Sequence, residues 1–177
     1  TQTGVVAPPI TYQIDGEQYL TVSAGWGGIF PLMTGVLVED SAGERSVNNS
    51  RLLTFKLGGI AALPAPNDAV NTLPDTSSIS PAADAVAAGF AHYDRYCVNC
   101  HGAGAVGGGV LPDLRFSPVI TDAKVWSSIV SDGALSNRGM VAYSAELDTA
   151  AVESIRQFII ERNQQARADG LLERYGR

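Results

Sequence analysis

The chain has 177 residues, of which 45% are hydrophobic and 17% charged, and its formal net charge at pH 7 is −6. This composition is typical of a globular protein. The negative net charge argues against binding to nucleic acid through backbone phosphates. No apolar run reaches the roughly 18 residues that a membrane-spanning helix needs. The sequence contains only two Cys, two His and two Met, so a site built from these residue types must use nearly all of them.

The chain begins at Thr1 with neither Met nor an export signal, so we expect a cleaved leader or a piece of a longer protein. The first 60 residues show the alternation that is typical of β-strands. Four strands are predicted there: 10–14, 18–23, 36–38 and 51–57. Asp15 and Gly16 separate the first two strands, and such a pair favours a tight hairpin turn. Three or four short strands leave sheet edges and one apolar face uncovered. The first 60 residues are therefore expected to need a partner.

Proline and small polar residues interrupt both periodicities in 61–80, which predicts a linker, and 81–177 is predicted to be a helical domain. Three helices are expected: one beginning after Ser80 with Pro81 at its first position and continuing to Cys97, one from Thr121 to near Gly133, and one from Asp148 to before Gly170. A stripe at helical spacing predicts the buried face of the first helix: Val86, Phe90, Tyr93 and Cys97.

The residues from Cys97 to His101 read Cys-Val-Asn-Cys-His, the C-x-x-C-H pattern that is typical of c-type haem attachment. At a helix end, two thiols at this spacing can both reach the vinyl groups on one edge of a porphyrin, and the imidazole then faces the iron. A structural zinc site would need further Cys or His ligands, which the sequence does not offer. A thioredoxin-like redox pair would lie in a βαβ context, which is not predicted here. A catalytic Cys–His pair is disfavoured because adjacent residues of one turn align poorly as nucleophile and base. The pattern therefore predicts Cys97 and Cys100 as attachment residues and His101 as an axial ligand of the iron.

The second axial ligand has to come from the opposite face of the haem. His92 lies on the same predicted helix as the motif, hence on the side of His101, and Met33 lies in the β part, where packing is its expected role. Met140 lies in a glycine-containing loop, far enough along the chain to wrap around the haem. We predict Met140 as the second ligand, and an open coordination site is the alternative. Ligation by His and Met leaves no place for a substrate and suits an electron carrier.

Four further residues are candidates for the haem pocket: Pro112, Arg115, Trp126 and Arg138. The carbonyl of the proline could accept the Nδ1–H of His101 and fix the ring, with an ordinary loop proline as the alternative. The other three could donate to the haem propionates, and for each arginine a solvated surface charge is the alternative. The glycines of 102–109 lack the ending of a phosphate loop, and we expect them to let the backbone pack against the porphyrin edge.

Residues 81–170 resemble a class I cytochrome c domain, in which a helix leads into C-x-x-C-H and a proline-containing loop, a distal Met loop and a last helix follow. The preceding part resembles the last propeller strands of a quinohaemoprotein alcohol dehydrogenase, in segments 3–12, 15–19, 24–28 and 51–59. In that family an eight-bladed β-propeller binds pyrroloquinoline quinone and calcium, and a Pro-rich linker leads to a C-terminal cytochrome c domain. The implied fold class is mixed: incomplete antiparallel β, followed by an all-α class I cytochrome c domain.

The resemblance implies a periplasmic location and electron transfer from the quinone through haem c to a soluble acceptor, such as a copper protein or another cytochrome. It also implies that the rest of the propeller is a partner, and that the groups that bind calcium and remove the alcohol proton lie outside this sequence. By analogy, the loop with Trp26 and Gly27 would line the quinone site, and packing within a blade is the alternative for Trp26. Two other functions stay open: a stand-alone periplasmic cytochrome c with a β extension, and a haem sensor or ligand-binding enzyme in which Met140 does not bind the iron.

Overall fold

The computed structural model of the chain describes residues 4–25, 50–65, 72–107 and 111–170. The strands in these ranges are β1 (Ile10–Ile14), β2 (Glu17–Ala24) and β3 (Arg51–Lys56). The α-helices are α1 (Ala83–Tyr96), α2 (Val98–His101), α3 (Ala123–Val130) and α4 (Thr149–Ala168), and short 3₁₀ turns join several of them. The predicted strand at 36–38, Met33 and the loop with Trp26 and Gly27 lie outside the described residues.

The three strands form one antiparallel sheet in the order β1–β2–β3. β1 and β2 are joined at Asp15 and Gly16, whose φ angles of 51° and 80° are those of the tight turn that this pair predicts. β3 pairs with β2 from a distant point in the chain, with Leu20 opposite Phe55. The antiparallel sheet followed by helices confirms the predicted fold class for the described residues.

One face of this sheet is apolar and only partly covered. Val22, Ala24 and Leu53 form a small buried cluster on it. Leu20 and Phe55, which pair across the same face, are 41% and 50% exposed. A small sheet becomes independently stable only when such a face is packed against another layer. The described residues therefore leave part of this apolar face uncovered.

α1 begins two residues later than the sequence predicts. Its N-cap is Ala82, which has an extended backbone (φ −78°, ψ 136°) and no side-chain capping bond. The amide of Ala82 donates to Oε1 of Gln157 on α4, at 3.1 Å. This tertiary contact holds the chain extended past Ser80 and Pro81, so the local capping signal at these two residues does not start the helix.

The N-terminus of α3 also differs from the predicted one, because Asp122 rather than Thr121 caps it. The carboxylate of Asp122 accepts from the backbone amides of Lys124 and Val125, at 2.8 and 3.1 Å. These hydrogen bonds lower the pKa of the Asp122 carboxyl group. Thr121 instead closes the preceding 3₁₀ turn by donating to the carbonyl of Pro118.

α4 has 20 residues and begins where the sequence predicts. Asp148 is its N-cap and accepts from the amide of Ala151 at 2.8 Å. The helix ends before Gly170, which has a φ of 69°. Its predicted apolar face is buried in the core: Val152, Ile155, Phe158 and Ile159.

α1 crosses α4 at Gly89 with no side chain between the two backbones. A Cβ at Gly89 would lie 2.0 Å from the carbonyl O of Ser154 and 3.0 Å from the amide N of Ile155. Beside this point the rings of Tyr93 and Phe158 pack with their centroids 5.2 Å apart. The helices are therefore as close as glycine allows, and the side chains that follow along α1 are held against α4.

The buried face of α1 corrects the predicted stripe at one position. Tyr93 and Cys97 are buried as predicted, and Val86 is partly buried. Phe90 is 53% exposed, and Gly89 lies in the core in its place. A pattern of apolar side chains cannot show this, because the position nearest to α4 has no side chain.

The second part of the predicted linker packs against α4, and we call residues 72–80 the strap. Leu73 and Thr76 of the strap are 6% and 0% exposed. Gln164 donates its Nε2 to two strap carbonyls, at 2.9 and 2.7 Å. Arg167 donates its Nη2 to two more, at 3.0 and 3.1 Å. The structure therefore places the strap with the helices rather than in a free linker.

We expect Gly89→Ala to destabilise the helical part, because the added methyl group would push α1 away from Ser154. Alanine stabilises an ordinary helix position by about 1 kcal/mol relative to glycine. Overpacking costs about 1–3 kcal/mol, so the net change should be a lower free energy of unfolding. Urea unfolding followed by circular dichroism measures it, with Ala88→Ser, at an exposed position of the same helix, as the control. An unchanged or higher free energy of unfolding would contradict the close crossing.

Candidate haem site

The predicted attachment residues lie where α1 ends and α2 begins. Cys97 is the C-cap of α1, and α2 carries Cys100 and His101. The amides of Cys100 and His101 both donate to the carbonyl of Cys97, at 3.1 and 2.9 Å. Cys97 is buried, Cys100 is exposed, and both thiols are free. One helical turn therefore brings the three predicted residues together.

His101 is held by a hydrogen bond to the loop that follows α2. Its Nδ1 lies 3.3 Å from the carbonyl O of Pro112, which is the contact expected from the sequence. With Nδ1–H donating to this carbonyl, Nε2 keeps the lone pair that binds a metal. Burial lowers the pKa of the His101 imidazole, and the hydrogen bond to Pro112 acts in the opposite direction. The net effect favours the neutral imidazole, which is the form that ligates iron.

Gly107 brings the glycine-rich segment into contact with the same loop. A Cβ at this position would lie 2.1 Å from the carbonyl O of Leu111 and 2.7 Å from the amide N of Asp113. The backbone on both sides of Pro112 therefore rests directly on Gly107. The sequence predicts that these glycines pack against a porphyrin edge, whereas this one packs against the loop that holds the imidazole.

Tyr93 holds the chain immediately after His101. Its hydroxyl donates to the carbonyl of Gly102 at 2.6 Å. Burial raises the pKa of the Tyr93 phenol, so the hydroxyl keeps its proton well above neutral pH. Gly102 has a φ of 79°, in the left-handed region that glycine adopts without strain, and the chain turns there out of α2.

Arg115 is buried in an ion pair with Asp113. Its Nε and Nη2 donate to the carboxylate of Asp113 at 2.9 and 2.6 Å, and its backbone amide donates to the same group at 3.1 Å. The Arg115 side chain is 7% exposed. The ion pair braces the loop next to Pro112, and the role of Arg115 as a propionate donor stays a prediction.

Trp126 has a packing role that contradicts its predicted one. It is 4% exposed, and its indole Nε1–H donates to the carbonyl O of Val152 at 2.9 Å. Because an indole has no second donor, Trp126 has none left for a haem propionate. Arg138 lies in the exposed 3₁₀ turn Ser136–Arg138, and its role at the propionates stays a prediction.

The loop with Met140 is attached to the end of α1 by Tyr143. The hydroxyl of Tyr143 donates to the carbonyl of Tyr96 at 3.1 Å, and the two ring centroids are 6.0 Å apart. Tyr96 immediately precedes Cys97. Met140 itself is partly buried and packs against the core cluster that contains Cys97. Loop and motif therefore share one cluster, and ligation of iron by Met140 stays a prediction.

Four residues that hold this site are not singled out for it individually by the sequence: Tyr93, Gly107, Asp113 and Tyr143. Asp113 carries a usable signal, because an Asp two residues before an Arg in a loop can form a local ion pair. Gly107 is hidden among neighbouring glycines. The partner of Tyr143 is a backbone carbonyl, which no pattern of side chains reveals.

The residues present fit a c-type haem better than the other sites that a Cys–His motif can build. Burial raises the pKa of Cys97 to about 12, so at neutral pH this thiol is not the thiolate that a cysteine nucleophile requires. In the described ranges no three His, Cys, Asp or Glu side chains are grouped so that they could hold a metal ion. His101 has Nδ1 engaged and Nε2 free, which is the arrangement of an axial ligand.

Comparison with known proteins agrees with this site. Residues 84–159 match the family described as cytochrome C oxidase, cbb3-type, subunit III. The helical part is therefore a cytochrome c domain, and such a domain carries haem c.

The similarity extends beyond the helices. The chain is 38% identical to quinohemoprotein alcohol dehydrogenase ADH-IIG of Pseudomonas putida over 95% of its length, and 39% identical to the dehydrogenase subunit of alcohol dehydrogenase (quinone) of Komagataeibacter europaeus over 90%. The solved structure of ADHIIG from P. putida HK5 matches 98% of the chain with a TM-score of 0.75 and 35% identity. The solved structure of the quinohemoprotein alcohol dehydrogenase from Comamonas testosteroni matches 95% of the chain, with a TM-score of 0.66 and 34% identity.

The chain is thus the counterpart of the C-terminal, cytochrome-bearing part of the quinohaemoprotein alcohol dehydrogenases, which confirms the resemblance seen in the sequence. It spans 23% and 21% of the length of the two relatives, and 24% and 23% of the two solved chains. The larger part of each relative therefore has no counterpart here.

Replacing both Cys97 and Cys100 with Ala should abolish covalent haem attachment, because the sequence contains no other thiol. Haem staining of the protein on a denaturing gel measures this. Cys100→Ala alone keeps one thiol and should retain part of the stain. Haem that stays on the doubly substituted chain after denaturation would show that attachment does not use this motif.

We expect Met140→Ala to open one axial position of the iron. The reduced protein should then bind carbon monoxide, the ferric form should lose its sulfur-to-iron absorption band, and the reduction potential should fall. Met33→Ala changes the other methionine of the chain and should leave all three properties unchanged. If Met140→Ala binds no carbon monoxide, the second ligand is another residue.

Proposed function

We propose that this chain carries single electrons through a covalently bound haem, from the quinone of an alcohol-oxidising propeller to an external acceptor. The observation that carries the proposal is that similarity to these dehydrogenases runs through both parts of the chain, with 98% of it matched to one solved enzyme. A stand-alone cytochrome with an unrelated β extension would match in its helical part alone. That alternative is therefore not favoured.

In this proposal Cys97 and Cys100 hold the haem through thioether bonds, and His101 and Met140 are the axial ligands. The bound haem supplies a one-electron iron couple. The carbonyl of Pro112 orients the His101 ring and increases the basicity of Nε2, because it accepts a hydrogen bond from Nδ1–H. Two protein ligands leave no position for a substrate, which suits electron transfer and argues against a haem sensor or ligand-binding enzyme.

The apolar packing around the motif supports a raised reduction potential. Tyr93 and Cys97 are buried, and Met140 and Tyr143 pack against the same cluster. A water-poor shell of this kind disfavours the additional positive charge of ferric iron. His/Met ligation acts in the same direction.

The β part supports a partner that completes a propeller. Its apolar face leaves Leu20 and Phe55 about half exposed, and the sheet has only three described strands. We infer that the covering layer is the rest of the propeller polypeptide, which would carry pyrroloquinoline quinone and calcium in the intact enzyme. The placement of Trp26 and Gly27 at the quinone is part of the same proposal and rests on family analogy.

We place the chain in the periplasm, because covalent haem attachment and the family resemblance both point there. Within the described ranges, no helix has the length and apolarity needed to cross a bilayer. The acceptor in this proposal is a soluble redox protein, either a small copper protein or another cytochrome.

Alcohol-driven reduction of the haem tests the proposal. The haem-loaded chain alone, given pyrroloquinoline quinone, calcium and a primary alcohol, should stay oxidised. The same chain joined to a complete propeller should be reduced by the alcohol, which haem absorption reports. In that longer protein, the form without Cys97 and Cys100 should still reduce an artificial dye but not the external acceptor protein. Alcohol oxidation that leaves the haem of the intact enzyme oxidised would overturn the proposal.

A further inference from the structure

We propose that Asn163 of α4 is a positioning residue for His101, through which docking of the strap orients the imidazole. The inference rests on the proposed function, because it concerns a haem ligand. It extends that function, because it assigns to the segment before the haem domain a direct part in shaping the haem site.

Asn163 connects the strap to the loop that follows α2. Its side chain is 0% exposed and has a different partner at each end. Oδ1 accepts from the hydroxyl of Thr76 at 2.6 Å, and Nδ2 donates to the carbonyl of Arg115 at 2.7 Å. Thr76 is also 0% exposed. Because the Asn163 amide is buried, each of its two hydrogen bonds fixes the plane of the amide group. The strap and the loop therefore cannot move independently without breaking one of these two hydrogen bonds.

The loop transmits this constraint to His101 over a short distance. The carbonyl that Asn163 holds belongs to Arg115, and the carbonyl that His101 contacts belongs to Pro112. Between them, Asp113 accepts three hydrogen bonds from Arg115 at 2.6–3.1 Å. This closes the segment into a compact unit, and a shift at the Arg115 carbonyl therefore moves the Pro112 carbonyl against Nδ1 of His101.

The other strap anchors do not lead to the loop. Gln164 and Arg167 donate to strap carbonyls, and their described hydrogen bonds reach no residue of 111–115. Arg167 holds the carbonyls of Leu73 and Pro74, so its loss loosens the strap but leaves both hydrogen bonds of Asn163 in place. This difference separates a positioning role from simple packing.

Thr76→Val tests the connection with little change in shape, since it removes the hydroxyl and keeps the branched side chain. Oδ1 of Asn163 then lacks its donor, and the amide is free to turn Nδ2 away from Arg115. The measurement uses the full chain, haem-loaded and reduced, and follows the Nδ1–H of His101 by nitrogen-edited NMR. We expect its exchange with solvent to become about tenfold faster, as for the loss of a hydrogen bond, and its chemical shift to move.

Three further variants accompany it. Thr76→Ser keeps the hydroxyl and should restore the parent exchange rate and chemical shift. Arg167→Met removes the strap anchor at Leu73 and Pro74 and leaves the described partners of Thr76 and Asn163 unchanged, so it should lower the melting temperature and leave the His101 signal in place. Asn163→Leu removes both bonds at similar volume and should change the signal more than Thr76→Val does. If this harsher variant fails to fold, the threonine series decides.

A Thr76→Val chain that melts earlier but keeps the parent His101 signal would overturn the proposal, because Asn163 would then only pack the strap. An equal change of the signal in Arg167→Met would overturn it as well. Haem absorption of the parent chain tests the proposed function separately. A parent chain that takes up no covalent haem would show no haem absorption, whatever the effect of the Thr76 variants.

Discussion

The direct meeting of two backbones at Gly89 is the constraint on which the helical part depends. Because no side chain separates α1 from α4 there, the next turns of α1 are held close against the last helix. Tyr93 then reaches the carbonyl after His101, and Cys97 comes to lie in the core. The same α4 binds α3 through Trp126 on one side and the strap on another. One glycine thus sets the distances within which the site is built.

The candidate haem site is short in sequence but is held by distant parts of the chain. The imidazole of His101 is held by the carbonyl of Pro112, and Gly107 supports that carbonyl from the glycine-rich segment. Tyr93 acts from α1 and Asn163 from α4. The Pro112 carbonyl thus contacts the ring directly, and the glycine-rich segment, α1 and α4 hold the backbone around it, which is the kind of support that keeps a metal ligand in a fixed geometry.

The parts of the fold that could be predicted are those with a local cause. The hairpin turn, the cap at Asp148 and the grouping of the C-x-x-C-H residues all follow from neighbouring residues. The start of α1 could not be predicted, because Gln157 holds the preceding chain extended from another helix. The sequence suggests a propionate role for Trp126 because its carbonyl partner, at Val152, leaves no mark in the sequence. Residues 72–80 are predicted as linker for the same reason: the acceptors in this strap are backbone carbonyls, which every residue has.

The burial of Cys97 bears on the order of events when the protein is made. The thiol is 9% exposed, whereas Cys100 lies open to solvent. Burial limits access to the inner sulfur, and its raised pKa makes this thiol a weaker nucleophile than an exposed one. For the proposed attachment, we therefore expect the inner thioether to form before the helices have packed around Cys97.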